Sequence, residues 1–191
     1  AGIFEQYVSP YDNELPLEYR SNNGFYNYDH LSTAVFCVNT ELEAKLGLNI
    51  RGYADLMNPA LKGKIIFSDP TSSSAAWNNL SNIFAVYGND SAEAWAVIEG
   101  LLANGMVIGS SSSIAFKGVQ SGEYVVGLTY EDGASTLLKN GAKNIKMVYP
   151  AEGASAYAFA VAIIKNAPNM KAAKALVDYI QSAEGQSFRA N

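Results

Sequence analysis

The sequence predicts an α/β fold, because strand-like and helix-like segments alternate along the chain. The clearest pair is Lys64–Phe67, an apolar run typical of a buried strand, followed by Ser74–Tyr87, whose apolar residues recur at helical spacing. Gly88 comes directly after this helix and predicts its end, as a C-cap glycine does. With 49% hydrophobic and 16% charged residues, the 191-residue chain can bury a substantial core.

The other elements follow in the same alternating order. The remaining strands are predicted at Leu31–Val38, Tyr124–Thr129, Asn144–Tyr149 and Ser155–Lys165. The remaining helices are predicted at Thr40–Leu46, Ser91–Leu102, Ser113–Val119, Gly133–Leu138 and Asn166–Ser187. Pro168 fits the first turn of the last helix, where a missing N–H costs nothing.

The helical spacing also predicts which side chains are buried. We expect Trp77 and Trp95 to lie in the core, because tryptophan at helical spacing is more often a packing residue than a ligand contact. The buried stripe of the last helix is predicted to consist of Ala172, Leu176 and Tyr179 or Ile180.

Composition narrows the class of partner. The net charge of −5 and the pI of about 4.9 argue against a nucleic-acid-binding protein, which would present a basic face. No apolar run approaches the roughly 20 residues that a membrane-spanning helix needs. Cys37 is the only cysteine and lies in an apolar run, so we expect a small buried side chain and no disulfide within the chain. A small solute is therefore the expected partner.

A run of hydroxyl side chains opens the predicted helix at Ser74–Tyr87. The segment FSDPTSSSAAWNN leaves an apolar strand through a proline turn and offers Ser72, Ser73 and Ser74, with Ala75 next to them. A helix N-terminus has N–H groups without partners, and neighbouring hydroxyls add donors, so a small anion can bind there without a metal. The alternative is that these hydroxyls merely cap the helix.

A second serine cluster repeats this chemistry. The segment GSSSSIAF follows a strand-like run and places Ser111, Ser112 and Ser113 before another short helix. We expect both clusters to face one cleft, although their spacing shows only that the chain could return to the same place.

Three polar residues follow the predicted strand at Tyr124–Thr129 directly. Ligands of open α/β sheets bind beyond the carboxyl ends of strands, so Tyr130, Glu131 and Asp132 are candidate contacts. A carboxylate there could pair with a ligand ammonium, and Tyr130 could donate a hydrogen bond or coordinate ferric iron as a phenolate. The alternative is that Glu131 or Asp132 caps the next helix.

An enzyme is the rival class of protein. Catalysis would need a nucleophile with a base, a metal or paired carboxylates in a fixed arrangement. The chain has one histidine, one apolar-flanked cysteine and no G-x-S-x-G segment. We therefore predict no enzymatic activity, no catalytic residues, no cofactor and no resident metal site.

Four segments carry a resemblance to a known family. They read GFYNYDHLSTAVFCVNTEL, YADLMNPALKGKIIFSDPTSSSAAW, SGEYVVGLTYED and VYPAEGASAYAFAVAIIKNAPNMKAAKALVDYIQSAEGQ. In this order they resemble the extracellular solute-binding proteins of ABC importers, in the group that includes binders of ferric iron, 2-aminoethylphosphonate, thiamine and polyamines. The resemblance covers nearly the whole chain.

The resemblance implies a type II periplasmic-binding-protein fold, in which two α/β lobes joined by two crossovers close on a ligand. We expect residues 1–38 to be part of the first lobe, 39–150 to form the complete second lobe and 151–191 to return to the first. The crossovers are expected near Val35–Asn39 and Val148–Gly153. Family members are longer, so we expect an N-terminally truncated fragment that exposes apolar surface and binds its ligand weakly.

The resemblance also implies a function. The protein would capture a small anionic solute, such as 2-aminoethylphosphonate, and deliver it to a membrane permease. Its expected location is the periplasm or the cell exterior, with or without a lipid anchor at the cell surface. The alternative is a ferric-iron binder, whose site would have to be assembled from separate segments. Its candidate residues are Tyr26, Tyr28, Asp29, His30, Tyr130 and Glu131. Tyr28 is retained as a candidate ligand contact in either case, and no spacing fixes a metal geometry.

Overall fold

The fold is built around one mixed sheet. A computed structural model describes residues 2–190. Its strands are β1 (Asn27–Asn39), β2 (Ile65–Ser68), β3 (Val107–Gly109), β4 (Val126–Tyr130), β5 (Ile145–Val148) and β6 (Ala156–Val161). The strand order is β3-β2-β4-β1-β5, and β6 also pairs with β1. Strand β2 is parallel to both β3 and β4, whereas β1 is antiparallel to β4 and β5. The carboxyl ends of β2, β3, β4 and β5 therefore lie at one edge of the sheet.

Helices alternate with these strands and confirm the α/β prediction. They are α1 (Thr40–Lys45), α2 (Ser74–Tyr87), α3 (Ala92–Ala103), α4 (Ile114–Gln120), α5 (Glu131–Lys139), α6 (Met170–Gln181) and α7 (Ala183–Ala190). Short 3₁₀ turns occur at Pro10–Glu14, Leu17–Tyr19, Ala54–Met57 and Pro59–Leu61.

The chain forms two compact units. The first combines the residues up to Leu31 with those from Tyr157 onward, and the second runs from Ser32 to Ala156. The second unit contains β2, β3, β4 and β5, the larger part of β1, and helices α1–α5. The predicted division at residues 38 and 150 stays a prediction, as do the two crossovers.

Two apolar clusters cover the two faces of the sheet in the second unit. Phe36 and Leu128 pack in the larger cluster with residues of α2 and α3, whereas Cys37 packs with Phe116 and other residues of α4 and α5 on the opposite face. Successive side chains of a strand point to opposite faces, which explains why neighbours in β1 join different clusters. Each fully buried large apolar side chain stabilises the unit by about 1.5–3 kcal/mol. Cys37 is fully buried, as predicted, and burial raises the pKa of its thiol to about 12.

Helix α2 has the predicted bounds because both of its ends are specified locally. The Ser73 hydroxyl accepts a hydrogen bond from the Ala76 N–H at 3.2 Å. At the other end Gly88 adopts a φ of 102°, a conformation that side chains other than glycine's rarely tolerate. Helix α3 begins in the same way, since the Ser91 hydroxyl accepts from the Ala94 N–H at 3.0 Å.

The prediction that both tryptophans lie in the core is wrong. Trp77 is 59% exposed and Trp95 is 48% exposed. The helical spacing put Trp77, Leu80 and Phe84 on the buried face of α2. The residues that are buried are Ala76, Asn79, Asn82 and Ile83, so the face is displaced by about one residue. The small Ala76 and the hydrogen-bonded Asn79 fit against the sheet, where an indole would need far more room.

The predicted C-terminal helix is interrupted. Ser182 has an extended conformation (φ −67°, ψ 156°) and separates α6 from α7. The Ser182 hydroxyl accepts a hydrogen bond from the Gly185 N–H at 3.1 Å, so it begins α7. Pro168 does not lie in the first turn of α6, because Asn169 is the N-cap residue that follows it.

The predicted buried stripe of α6 is also wrong. Leu176 is 57% exposed and Tyr179 is 40% exposed, and Ala172 is exposed as well, whereas Val177 and Gln181 are buried. Two polar contacts accompany this orientation. The Gln181 amide donates to the Tyr28 carbonyl at 2.7 Å, and the Tyr7 hydroxyl donates to the Asp178 carboxylate at 2.8 Å. The spacing of apolar residues in the sequence carries no information about such contacts.

Candidate ligand-binding site

Three adjacent parallel strands end at one edge of the sheet, and each is followed by a predicted site segment. Strand β2 leads into the first serine cluster (Ser72, Ser73 and Ser74), β3 leads into the second serine cluster (Ser111, Ser112 and Ser113), and β4 ends at Tyr130. Because β2 lies between β3 and β4, both serine clusters and the Tyr130 segment meet around the end of β2. This is the edge at which open α/β sheets bind ligands.

The first serine cluster is shaped by Asp69. The Asp69 carbonyl accepts from the N–H groups of Ser72 and Ser73 at 3.1 and 2.9 Å, which turns the chain into α2. The Asp69 carboxylate accepts from the Thr71 hydroxyl at 2.7 Å and from its N–H at 2.8 Å, and these bonds lower the pKa of Asp69. Ser73 is buried, whereas Ser72 and Ser74 are exposed. The N–H groups of Ser74 and Ala75 have no carbonyl partner inside the helix.

The second serine cluster contacts the first. The hydroxyl oxygens of Ser73 and Ser112 lie 2.9 Å apart. The Ser68 hydroxyl at the end of β2 donates to the Ser111 carbonyl at 3.0 Å, which fixes the second loop against the first. Ser113 occupies the N-cap position of α4 but makes no side-chain capping bond. The structure therefore brings together the two clusters that the sequence could only place separately.

The carboxylates after β4 are held by hydroxyl groups. The Ser32 hydroxyl bonds to the Asp132 carboxylate. The Tyr149 hydroxyl, at the end of β5, donates to Glu131 at 2.6 Å, and mainly for this reason its pKa is raised to about 12. Both acidic residues lie in the first turn of α5, and no side-chain capping bond is made from the N-cap position at Tyr130. Their position in the first turn suits the helix dipole, so the helix-terminus role stays an alternative to ligand contact for these carboxylates.

Tyr130 is partly buried beside these groups. Its ring packs edge-on against Phe116, with centroids 5.7 Å apart. Burial raises the pKa of Tyr130, and the nearby charge of Asp132 raises it further. The phenol, rather than the phenolate, is the favoured form.

Several residues of this edge were not identified from the sequence. Asn79 is 1% exposed, and its amide donates to the Thr129 carbonyl at 2.8 Å and to the Ala75 carbonyl at 3.1 Å, tying α2 to the end of β4. The Asn79 Oδ1 and Thr129 Oγ1 atoms are buried without a hydrogen-bond partner among residues 2–190. Asn79 could have been identified from the sequence, because it is a polar residue on the core face of α2. Ser32 and Tyr149 carried no comparable signal, because their partners are distant in sequence.

Tyr28 belongs to the first unit, whereas the other candidate residues belong to the second. Its ring contacts those of Tyr19 and Tyr26, with centroids 6.4 and 5.3 Å away. It also lines a cavity of about 280 Å³ with His30 and Gln181. Within residues 2–190, no three His, Cys, Asp or Glu side chains are placed to hold a metal ion. The structure thus groups ten of the eleven candidate residues at one sheet edge and leaves Tyr28 in the other unit.

Residues 29–190 match the family described as bacterial extracellular solute-binding proteins. This chain belongs to that family. Over 193 aligned residues it is 30% identical to a protein of Haemophilus influenzae strain Rd, with 98% of this chain and 55% of that protein covered.

Solved structures agree with the assignment. The periplasmic binding protein AfuA from Actinobacillus pleuropneumoniae, with exogenous fructose 6-phosphate bound, is 30% identical with a TM-score of 0.82, covering 97% of this chain and 59% of that one. Iron-bound HitA from Pseudomonas aeruginosa is 25% identical with a TM-score of 0.74, covering 97% and 60%.

These matches establish a type II periplasmic-binding-protein fold of the kind found in the solute-binding proteins of ABC transporters. Members of the family are periplasmic or extracellular binding proteins that serve transport rather than catalysis. No helix within residues 2–190 is long and apolar enough to cross a membrane. The chain spans about 55–60% of the length of these relatives.

Proposed function

We propose that this chain provides part of the ligand site of an ABC-importer solute-binding protein, which takes up a small solute carrying a phosphate or phosphonate group and delivers it to a membrane permease. The observation that carries this proposal is the 2.9 Å contact between the Ser73 and Ser112 hydroxyls at the end of β2. Two hydroxyls this close together, one from each loop, can both donate to one tetrahedral anion.

Physical chemistry favours an oxyanion at this point. The 14-residue helix α2 directs its first N–H groups and the positive end of its dipole toward the serines. The serine hydroxyls can rotate from each other to a ligand oxygen, and hydrogen bonds to a charged group contribute about 1.5–3 kcal/mol each. AfuA, whose structure contains fructose 6-phosphate, supports a phosphorylated solute.

The neighbouring carboxylates favour a ligand with a positive end as well. Glu131 and Asp132 begin α5 at the same sheet edge. A solute such as 2-aminoethylphosphonate would place its phosphonate at the serines and its ammonium near these carboxylates. The hydroxyls of Tyr149 and Ser32 would hold the two carboxylates in position.

Ferric iron is the second candidate. Tyr130, Tyr149, Glu131 and Asp132 supply the hard oxygen ligands that Fe³⁺ prefers, and iron-bound HitA is similar to this chain. The raised pKa values of Tyr130 and Tyr149 oppose phenolate formation before a metal binds. The anion therefore uses more of the arrangement, including the serines, which an iron site would leave without a role.

A thermal-shift screen tests the proposal. A ligand that binds only the folded state raises the melting temperature, by an amount equivalent to about 2.7 kcal/mol at one hundred times its Kd. We expect stabilisation of the 191-residue chain by 2-aminoethylphosphonate, fructose 6-phosphate or inorganic phosphate. Stabilisation by ferric citrate alone would favour the iron alternative, and no response to any phosphate or phosphonate would contradict the proposal.

A matched pair of variants shows whether the response comes from the serine site. Ser112→Ala removes a hydroxyl of the site. Ser121→Ala removes a hydroxyl at the opposite end of α4, where it donates to the Gly118 carbonyl at 3.0 Å. The thermal shift should fall in Ser112→Ala and persist in Ser121→Ala.

A further inference from the structure

Trp77 is an exposed aromatic side chain in the first half of α2. It is 59% exposed, and none of the ring contacts found within residues 2–190 involves it. The other tryptophan differs, because Trp95 packs edge-on against Phe84 with ring centroids 5.3 Å apart. Trp95 therefore has an aromatic packing partner, which Trp77 lacks within the described part of the chain.

Trp77 lies one helical turn from the candidate anion site. The Trp77 N–H donates to the Ser73 carbonyl at 2.9 Å, which identifies the two residues as neighbours across one helical turn. Residues four apart share a face of the helix, and helical side chains lean toward the N-terminus. From this geometry we expect the indole to lie over the first turn of α2, next to Ser73, whose hydroxyl contacts Ser112.

The distance suits a particular shape of ligand. The Cα of Trp77 lies four residues from Ser73, about 6 Å along the helix axis. Because the indole leans back toward the N-terminus, a ring joined to the anion by a short linker would lie beside it. An indole face binds the C–H face of a saturated ring or the π face of an aromatic ring, whereas it gains little from a bare oxyanion.

We infer that Trp77 is a stacking platform that selects ligands in which a ring is joined to the phosphate or phosphonate. This inference rests on the proposed function and ranks cyclic organophosphates and organophosphonates above acyclic ones, such as 2-aminoethylphosphonate, in affinity. Trp77 acts on the ring, while the serines act on the anion.

Because the chain has only two tryptophans, Trp77 can be observed alone. In Trp95→Phe, fructose 6-phosphate should shield Trp77 from quenching by acrylamide, and inorganic phosphate should leave the quenching unchanged. In Trp77→Phe, where Trp95 is the remaining reporter, neither compound should change the quenching. Equal quenching of Trp77 with and without fructose 6-phosphate, under conditions where calorimetry shows the compound bound, would overturn the inference.

Calorimetry of Trp77→Ala gives an independent test. We expect the affinity for fructose 6-phosphate to fall by about two- to tenfold, as for the loss of one aromatic contact, while the affinity for inorganic phosphate stays within about twofold. An equal loss for 2-aminoethylphosphonate, which has no ring, would overturn the ring selectivity.

The two proposals fail in different ways. If wild type binds these anions and Trp77→Ala binds all of them equally well, the platform is wrong and the proposed function stands. If wild type binds no phosphate or phosphonate, the proposed function is wrong, and the platform falls with it.

Discussion

The two serine clusters have similar sequences and different structural roles. In the first cluster Ser73 is buried, caps α2 and contacts the second cluster. In the second cluster Ser113 takes the N-cap position of α4 without a capping bond, and Ser112 uses its hydroxyl toward Ser73 instead. The difference shows that a serine run before a helix does not by itself indicate capping.

Backbone conformation explains the difference. Ser73 has an extended conformation (φ −124°, ψ 116°), from which an N-cap hydroxyl can reach an N–H of the first turn. Ser113 is already helical (φ −78°, ψ −16°), so its hydroxyl is directed elsewhere. The capping alternative left open by the sequence applies to the first cluster, whereas the N-cap serine of the second cluster makes no capping bond.

The largest expected effect is that of Ser73→Ala, which removes both a cap and a proposed ligand contact. We expect unfolding free energy to fall by about 1 kcal/mol through the lost cap, and anion binding to weaken by about 1–3 kcal/mol through the lost charged hydrogen bond. Chemical denaturation and calorimetry measure the two losses separately. If Ser73→Ala loses stability but keeps its anion affinity, Ser73 caps α2 and does not contact the ligand.

Glu131→Ala sharpens the comparison by testing the opposite end of the ligand. We expect the affinity for 2-aminoethylphosphonate to fall by about 1–3 kcal/mol, because the ammonium loses a charged partner. Inorganic phosphate has no ammonium, so its affinity should not fall and serves as the control. An equal loss for both compounds would show that Glu131 acts on the anion end or on the fold.

Ser91→Ala is the cap-only counterpart of Ser73→Ala. Its hydroxyl caps α3 at 3.0 Å from the Ala94 N–H. Loss of this cap should lower unfolding free energy by about 1 kcal/mol, as at Ser73, and should leave anion affinity unchanged. Weaker anion binding in this variant would mean that destabilisation alone reduces affinity. The affinity loss in Ser73→Ala would then not be evidence for a contact between Ser73 and the anion.

The smallest expected effect concerns pH. The folded-state pKa of Tyr149 is raised to about 12 from the ordinary value of 10.0, chiefly by its hydrogen bond to Glu131. Its contribution to stability is therefore present below pH 10 and is lost as the pH rises toward 12. Tyr149 is 47% exposed, so solvent screening keeps this contribution small.

Spectrophotometric titration can isolate the Tyr149 effect. The difference between wild type and Tyr149→Phe should show one tyrosine that ionises above the ordinary range, and Glu131→Gln should shift that ionisation downward. An unchanged ionisation in Glu131→Gln would contradict the assigned cause.

The sequence predicts an element most reliably where its local signals agree with its packing in the fold. Helix α2 was predicted with its observed bounds because Ser73 and Gly88 determine its two ends. The register of its buried face was missed by one residue, since the sheet accommodates Ala76 and Asn79 better than Trp77. In α6 the buried face includes Gln181, which bonds to the Tyr28 carbonyl, and the spacing of apolar residues could not predict this contact.

The same distinction applies to the candidate site. The serines and the acidic residues were identifiable because they directly follow strand-like runs. The partners that fix the carboxylates were not: Ser32 and Tyr149 reach Asp132 and Glu131 only through the pairing of β1 with β4 and β5. Strand order is a long-range property, and no local pattern in this chain specifies it.

The affinity of Ser112→Ala for inorganic phosphate and 2-aminoethylphosphonate, measured by calorimetry beside Ser121→Ala, tests the central claim most directly. Ser112→Ala and Ser121→Ala each lose one side-chain hydrogen bond, so the unfolding free energy of each should fall by about 0.5–1.5 kcal/mol. We predict that Ser112→Ala weakens binding of both compounds by about 1–3 kcal/mol and that Ser121→Ala binds them like wild type. Equal affinities in Ser112→Ala and wild type would contradict an anion site formed by the two serine clusters.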